Sequence, residues 1–220
     1  MNYMNFPNHI FITGTDTGVG KTFVSAILTA GFMGFYWKPI QSGLEGGTDT
    51  EWVRQKTGLE DDHFFRETYR FNMPLSPHEA AVHDGVKIDL EAFHVPEAPK
   101  SEQLIIEGAG GVMVPLNDKH LMTDLIKRLN SPVLLVARSS LGTINHTLLS
   151  LEQLRREGID VIGIVMNGPR NEGNRQAIER YGRIKVIAEI EPVMDMDINP
   201  ENLRILFKYY FGQVFPWRVE

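Results

Sequence analysis

The stretch Gly14-Thr15-Asp16-Thr17-Gly18-Val19-Gly20-Lys21-Thr22 stands between an apolar run at residues 9–13 and a helix-like segment at residues 23–30. A strand that turns through glycines into a helix is the setting of a phosphate-binding loop. Gly18 and Gly20 can take positive φ without a Cβ clash, so backbone N–H groups can turn inward around phosphate oxygens. Lys21 then meets the β and γ phosphates, the Thr22 hydroxyl is placed to ligate Mg2+, and the following helix N-terminus adds its partial positive charge. In the strict G-x-x-x-x-G-K-[ST] spacing the first glycine would fall on Thr15, whereas Gly14 lies one residue early, so the loop is a variant. A plain glycine-rich turn with an exposed lysine would share the glycines but not the strand, the Gly-Lys-Thr run and the helix together. The sequence therefore predicts a nucleotide site at this junction.

Beyond the loop, short apolar or β-branched runs recur at residues 35–40, 103–107, 132–137, 161–166 and 185–190, with helix-like segments between them. Most are too apolar for a solvated face. The pattern is that of an α/β fold with a mostly parallel sheet, helices on both faces and three layers, of the P-loop NTPase type. The clearest helix is predicted over residues 143–157, with Ile144, Leu148, Leu151 and Leu154 on one side and Gly158 placed to stop it. Further helices are expected after Lys21, Thr48, Leu121, Asn171 and Pro200. Residues 61–100, rich in proline and without periodicity, read as an irregular excursion over the sheet.

With 220 residues, 42% of them hydrophobic, the chain has enough to bury one substantial core and is short for two ordinary domains, so residues 1–220 read as one α/β domain. The net charge of -6 gives no general attraction to nucleic acid or to an anionic membrane. The sequence contains no Cys, which excludes disulfides, thiolate zinc sites and thiol nucleophiles. Residues 1–12 lack the basic start and apolar run of a signal peptide, and no apolar stretch approaches the roughly 20 residues of a membrane helix. A cytoplasmic protein is expected.

A magnesium site beside the loop needs acidic partners. Glu107 ends the run Leu104-Ile105-Ile106, so its strand would deliver the carboxylate to the carboxyl edge of the sheet, where α/β ligands collect. Asp49, just before a predicted helix, is a second candidate, although an ordinary helix N-cap accounts for it equally well. Mg2+ prefers octahedral oxygen ligation with waters retained, a demand that Thr22, two carboxylates and phosphate oxygens would meet.

The phosphate loop, together with Lys38-Pro39-Ile40-Gln41-Ser42-Gly43, Ser76-Pro77-His78, Glu107-Gly108-Ala109-Gly110-Gly111 and Leu141-Gly142-Thr143-Ile144-Asn145-His146, resembles dethiobiotin synthetase, in order over residues 10–167. The resemblance implies a reaction of 7,8-diaminononanoate with CO2 to a carbamate, phosphorylation of that carbamate by ATP, and ring closure to a cyclic urea. Residue by residue, it implies that Lys21 and Lys38 stabilise the carbamate and the moving phosphoryl group. Thr22, Asp49 and Glu107 would hold Mg2+. Gly18, Val19, Gly20, Phe23, Gly108, Ala109, Gly110 and Asn167 would complete the nucleotide site, with Asn167 on the adenine. Thr17 and Ser42 would line the diamine site. Gly142, Thr143, Ile144 and Asn145, from the loop of a neighbouring subunit, would hold the substrate carboxylate, which implies a homodimer with shared sites.

The chemistry of the residue types agrees. An alkylamine with a pKa near ~10.4 is only roughly a thousandth neutral near pH 7.4, and only the neutral amine attacks CO2. Cations beside it would lower that pKa. Taken alone, Lys38 reads equally as a surface lysine at a strand end, Asn167 as a strand-terminal turn residue, residues 107–111 as a tight turn and Gly142-Thr143 as a helix cap.

Three positions depart from the family pattern. Gly18 stands where relatives often carry Glu; the link from the first helix to Tyr36 is short; and Ala188-Glu189-Ile190-Glu191-Pro192 replaces a Gly-x-Ile-Pro-like turn near the base. The last implies weaker discrimination among nucleoside triphosphates. A MinD or ParA type of ATPase switch, binding a protein or membrane partner, shares this kind of loop. Those proteins carry a signature lysine where Asp16 stands here. Cobyrinate-type synthetases add a glutaminase domain with a nucleophilic Cys, for which this chain has neither the length nor the residue.

Overall fold

The computed structural model describes residues 7–99, 102–193 and 197–215. The apolar run before the loop is β1 (His9–Gly14), in which Ile10, Phe11 and Ile12 are all fully buried. Successive strand residues face opposite sides, so burial of all three requires cover on both faces. The loop leads into α1 (Lys21–Phe32), which a left-handed Met33 ends abruptly. Two residues later begins β2 (Phe35–Trp37), so the short link expected from the sequence is real.

The strand expected over residues 35–40 is interrupted. Pro39 has no N–H for the ladder, and its carbonyl instead accepts from Thr68 N at 2.9 Å and Tyr69 N at 3.1 Å. The chain therefore leaves the main sheet after Trp37 and resumes as β3 (Ile40–Ser42) in a separate two-stranded sheet. Lys38 occupies the break. After α2 (Asp49–Thr57) the segment over 61–100 is more regular than expected, although Lys100 lies outside the described residues. It holds β4 (Phe64–Phe65), β5 (Tyr69–Phe71), which pairs with β3, and α3 (Pro77–His83), with short 3-10 turns between.

The next strand, β6 (Leu104–Gly111), runs past its expected end at Glu107, so residues 107–111 are strand rather than tight turn. The remaining elements are α4 (Met122–Leu129), β7 (Val133–Arg138), α5 (Thr143–Arg156), β8 (Val161–Asn167), α6 (Glu172–Gly182), β9 (Val186–Ile190) and α7 (Pro200–Phe211). The six helices expected from the sequence are present, and α3 is additional.

The main sheet has seven strands in the order β4-β2-β6-β1-β7-β8-β9, every pair parallel. One core lies between it and α1, α2 and α7, and includes Ile10, Ile12, Val24, Tyr36, Val53 and Phe207. The other, with Phe11, Ile106, Leu125 and Leu151, lies beneath α4 and α5. This is the three-layer α/β arrangement of P-loop NTPases. Among the described residues no helix is long and apolar enough to cross a membrane.

Candidate active site

The parallel register brings the carboxyl ends of β1, β2 and β6 together. Ile12 stands opposite Glu107 on β1 and β6, and Trp37 opposite Ile106 on β2 and β6, so Lys38 emerges beside Glu107. In the loop, Gly18 has φ 73° and Gly20 φ 98°, the left-handed conformation that glycine takes without penalty. Gly20 starts α1, placing Lys21 and Thr22 in its first turn.

Four side chains converge there. Lys38 Nζ lies 2.5 Å from Asp49 Oδ2 and 2.9 Å from Glu107 Oε1. The Thr22 hydroxyl is 3.0 Å from Asp49 Oδ1 and 2.9 Å from Glu107 Oε1. Asp49 is free to do this because Thr48 takes the cap of α2: its hydroxyl accepts from Glu51 N, and Glu51 accepts from Thr48 N in return. The N-cap alternative for Asp49 is thus set aside. Gln41 fixes the same helix start by accepting from Asp49 N at 3.1 Å.

The charges respond to this crowding. Burial by itself lowers the Lys38 pKa, but Glu107 and Asp49 more than offset it and hold the ammonium above the ordinary lysine value. Asp49 is opposed by burial in the same way, yet Lys38 and the Thr22 hydroxyl hold its carboxyl below the usual value. Lys21, whose Nζ donates to the Asp16 carbonyl at 3.2 Å, is compensated less fully, because Glu107, Asp49 and Asp16 raise its pKa by less than burial and Lys38 lower it. Burial first, and then the Lys38 charge, lower it to about 8. An anionic phosphate would restore the proton.

A cleft of about 550 Å³ opens over these groups. Thr17, Gly18, Gly20, Lys21, Thr22, Lys38, Ser42, Asp49, Glu107, Ala109 and Gly110 from the sequence-derived set line it, joined by Ile40, Gln41 and the 74–77 turn. Val19 and Phe23 instead pack into the core beneath α1, and Gly108 contributes its carbonyl, 3.5 Å from Lys38 Nζ. Asn167 flanks the loop and donates to the Val19 carbonyl at 3.0 Å. Gly142, Thr143, Ile144 and Asn145, at the start of α5, do not line this cleft; Asn145 borders a separate one between α5 and α6.

Among relatives, the ATP-dependent dethiobiotin synthetase BioD of Paramagnetospirillum magneticum is 50% identical over 184 residues, covering 84% of this chain and 88% of that protein. The chain belongs to the ATP-dependent dethiobiotin synthetase family. The corresponding BioD of Brucella melitensis biotype 2 is 45% identical over 204 residues, with 93% of this chain and 94% of that protein aligned. The AAA domain family matches residues 8–199. Membership makes this chain an ATP-dependent ligase. A ParA family ATPase from Chlorobium tepidum TLS superposes with a TM-score of 0.54 at 14% identity, covering 94% of this chain and 95% of that one. At that identity the likeness is one of fold, and the dethiobiotin synthetase relatives carry the assignment instead of an ATPase switch.

Sequence reading missed two supports of the site. Tyr36 looks like any core aromatic in an apolar strand, and its hydroxyl donates to Glu107 Oε2 at 2.9 Å. Gln41 lay within a quoted motif, but its bond to Asp49 N depends on the chain break at Pro39. Among the described residues no cluster of three or more His, Asp or Glu is arranged to hold a metal. The Thr22 hydroxyl and the two carboxylates, each within hydrogen-bond distance of that hydroxyl, form a smaller set of hard oxygen donors. They fit a Mg2+ that takes its other ligands from phosphate and water.

Proposed function

We propose that the chain makes dethiobiotin from 7,8-diaminononanoate, CO2 and ATP with Mg2+. The observation that carries this is the convergence of the phosphate-loop residues Lys21 and Thr22 with Lys38, Asp49 and Glu107 in one cleft. In the reaction an amine nitrogen of the substrate bonds to the carbon of CO2 and loses a proton, giving a carbamate. A carbamate oxygen then takes the γ-phosphoryl group of ATP, releasing ADP. Finally the second amine attacks the same carbon, expels phosphate and loses its proton, closing the cyclic urea.

The residues act by position and charge, as phosphoryl transfer requires. Lys21, in the first turn of α1, pairs with the transferring phosphate, which also keeps its depressed ammonium charged. Lys38 disfavours the ammonium form of the incoming diamine and then pairs with the carbamate. Thr22, Asp49 and Glu107 would hold Mg2+, which when bound neutralises charge on the β and γ phosphate oxygens. Thr17 and Ser42 border the space left for the diamine.

The start of α5 stands away from this cleft, which supports a homodimer in which Gly142, Thr143, Ile144 and Asn145 of one subunit serve the site of the other. Nucleic acid and membranes have no part in this reading. ADP release should require both 7,8-diaminononanoate and bicarbonate, and the active species in light scattering should have twice the chain mass. ATP hydrolysis at full rate without the diamine, or full activity as a monomer, would reject the corresponding part.

Several groups at the end of β9 and just beyond it already have partners. Glu189 pairs with Arg175 at 3.0 Å, Glu191 with Arg170 at 3.3 Å, and the Ile190 carbonyl accepts from Gly168 N at 2.8 Å. Among the described residues this leaves fewer groups there to read a base. Turnover with GTP or CTP should fall within about tenfold of that with ATP, about 1.4 kcal/mol. A preference of several orders of magnitude for ATP would contradict this.

A further inference from the structure

We propose that Tyr36 is a positioning residue that orients the Glu107 carboxylate toward the metal and phosphate side of the cleft. The inference rests on the reading above, in which Glu107 is a Mg2+ ligand. Tyr36 on β2 stands opposite Ile105 of β6, and Glu107, two residues further along, faces the same side of the sheet. The phenol therefore reaches Glu107 diagonally across the strand pair, with 2.9 Å between its oxygen and Oε2. Both residues are fully buried.

The two carboxylate oxygens have different partners. Oε1 faces the cleft, 2.9 Å from both the Thr22 hydroxyl and Lys38 Nζ. Oε2 points into the core, and Tyr36 is its one donor among the described residues. A carboxylate tethered at one oxygen can rotate about its terminal torsion, which is broad and nearly two-fold. The second tether fixes its plane. Tyr36 is itself held in the core beneath α1, α2 and α7, with the Phe64 ring 6.3 Å from its own. It does not line the cleft, so it acts only through Glu107.

Partners of this kind that orient a metal ligand typically change metal affinity 10- to 100-fold when removed. The test is Tyr36→Phe, which keeps the ring and removes only the donor. Mn2+ binding to the ADP-bound protein, followed by electron paramagnetic resonance, should weaken about tenfold. The Mg2+ concentration for half-maximal turnover should rise by a similar factor, while kcat at saturating Mg2+ and ADP affinity in EDTA stay near the parent values. Trp37→Phe is the control: it removes another buried donor, the indole bond to the Arg66 carbonyl at 3.2 Å, without touching Glu107. Its Mn2+ affinity should not move.

Unchanged Mn2+ affinity in Tyr36→Phe overturns the proposal, as does an equal loss in Trp37→Phe. Glu107→Gln separates the two levels of inference. If Glu107→Gln weakens Mn2+ binding and Tyr36→Phe does not, the positioning role alone has failed. If neither does, the assignment of Glu107 as a metal ligand has failed with it.

Discussion

Replacing Lys38 with alanine is expected to lower turnover by about 10²-fold or more, the scale of removing one preorganised transition-state donor. The side chain is only 4% exposed and its ammonium is clamped between Asp49 and Glu107 at 2.5 and 2.9 Å. It is thus built to stay charged in a site where charge is costly. Without it Lys21 is the remaining cationic side chain among the described residues lining the cleft, and Lys21 loses its proton near pH 8 in the free protein. Near-normal turnover in Lys38→Ala would remove this residue from the mechanism.

The same variant should behave oppositely toward the metal. In the ligand-free arrangement Lys38 neutralises the two carboxylates that Mg2+ would use, so the ammonium competes with the ion. Its removal leaves a fully buried Glu107 near Asp49 without a cation between them. Breaking a buried pair by deleting one partner costs about 3–5 kcal/mol, and the 33% exposure of the Asp49 side chain argues for the lower end. For a chain of this size about 3 kcal/mol lowers Tm by roughly 6–12 °C. Added Mg2+ should recover much of that loss in Lys38→Ala and stabilise the parent less. Calorimetry with and without Mg2+ reads both, and an equal metal-induced shift in the two proteins would refute the competition.

The parts of this site that were legible in the sequence are those whose chemistry is local. The loop from Gly14 to Thr22 carries its glycines, cation and hydroxyl within nine residues directly after an apolar run, and Glu107 announces itself as a carboxylate ending another. The fold followed from apolar runs too continuous for a half-solvated sheet. What was not legible depends on register and on chain breaks. That Tyr36 meets Glu107 follows from the pairing of β2 with β6, to which strand composition is blind. The split of residues 35–42 had a signal in Pro39, which cannot donate to a ladder, but the partner that makes the split favourable, β5, lies in the segment without periodicity. That the start of α5 stands away from the cleft of its own chain was implied only by the family resemblance; its local residues read equally as a plain helix cap.

Gly20→Ala is expected to weaken nucleotide binding by about 10²-fold, through the loop's geometry rather than its charge. Gly20 has φ 98°, and a Cβ added there would lie 2.1 Å from Asn167 Nδ2 and 3.0 Å from its Cγ. A left-handed conformation costs a non-glycine residue about 1–2 kcal/mol, and forcing a close-packed neighbour aside typically costs about 1–3 kcal/mol more. Displacing Asn167 also breaks its bond to the Val19 carbonyl at 3.0 Å, which holds the loop against β8. About 2.8 kcal/mol of this, expressed as lost alignment of the N–H groups that face phosphate, gives the hundredfold effect. Gly18→Ala separates conformation from collision: its φ is 73°, but a Cβ there meets nothing within 4 Å. Only the conformational cost applies, so its loss should be near tenfold. The collision itself is tested by Gly20→Ala combined with Asn167→Ala, which removes both atoms in conflict and leaves the Asn167 Cβ at an ordinary 3.7 Å. Displacement of a fluorescent ATP analogue should show the double variant binding nucleotide more tightly than Gly20→Ala alone. If the two losses merely add, the side chain of Asn167 is not what demands glycine at this position.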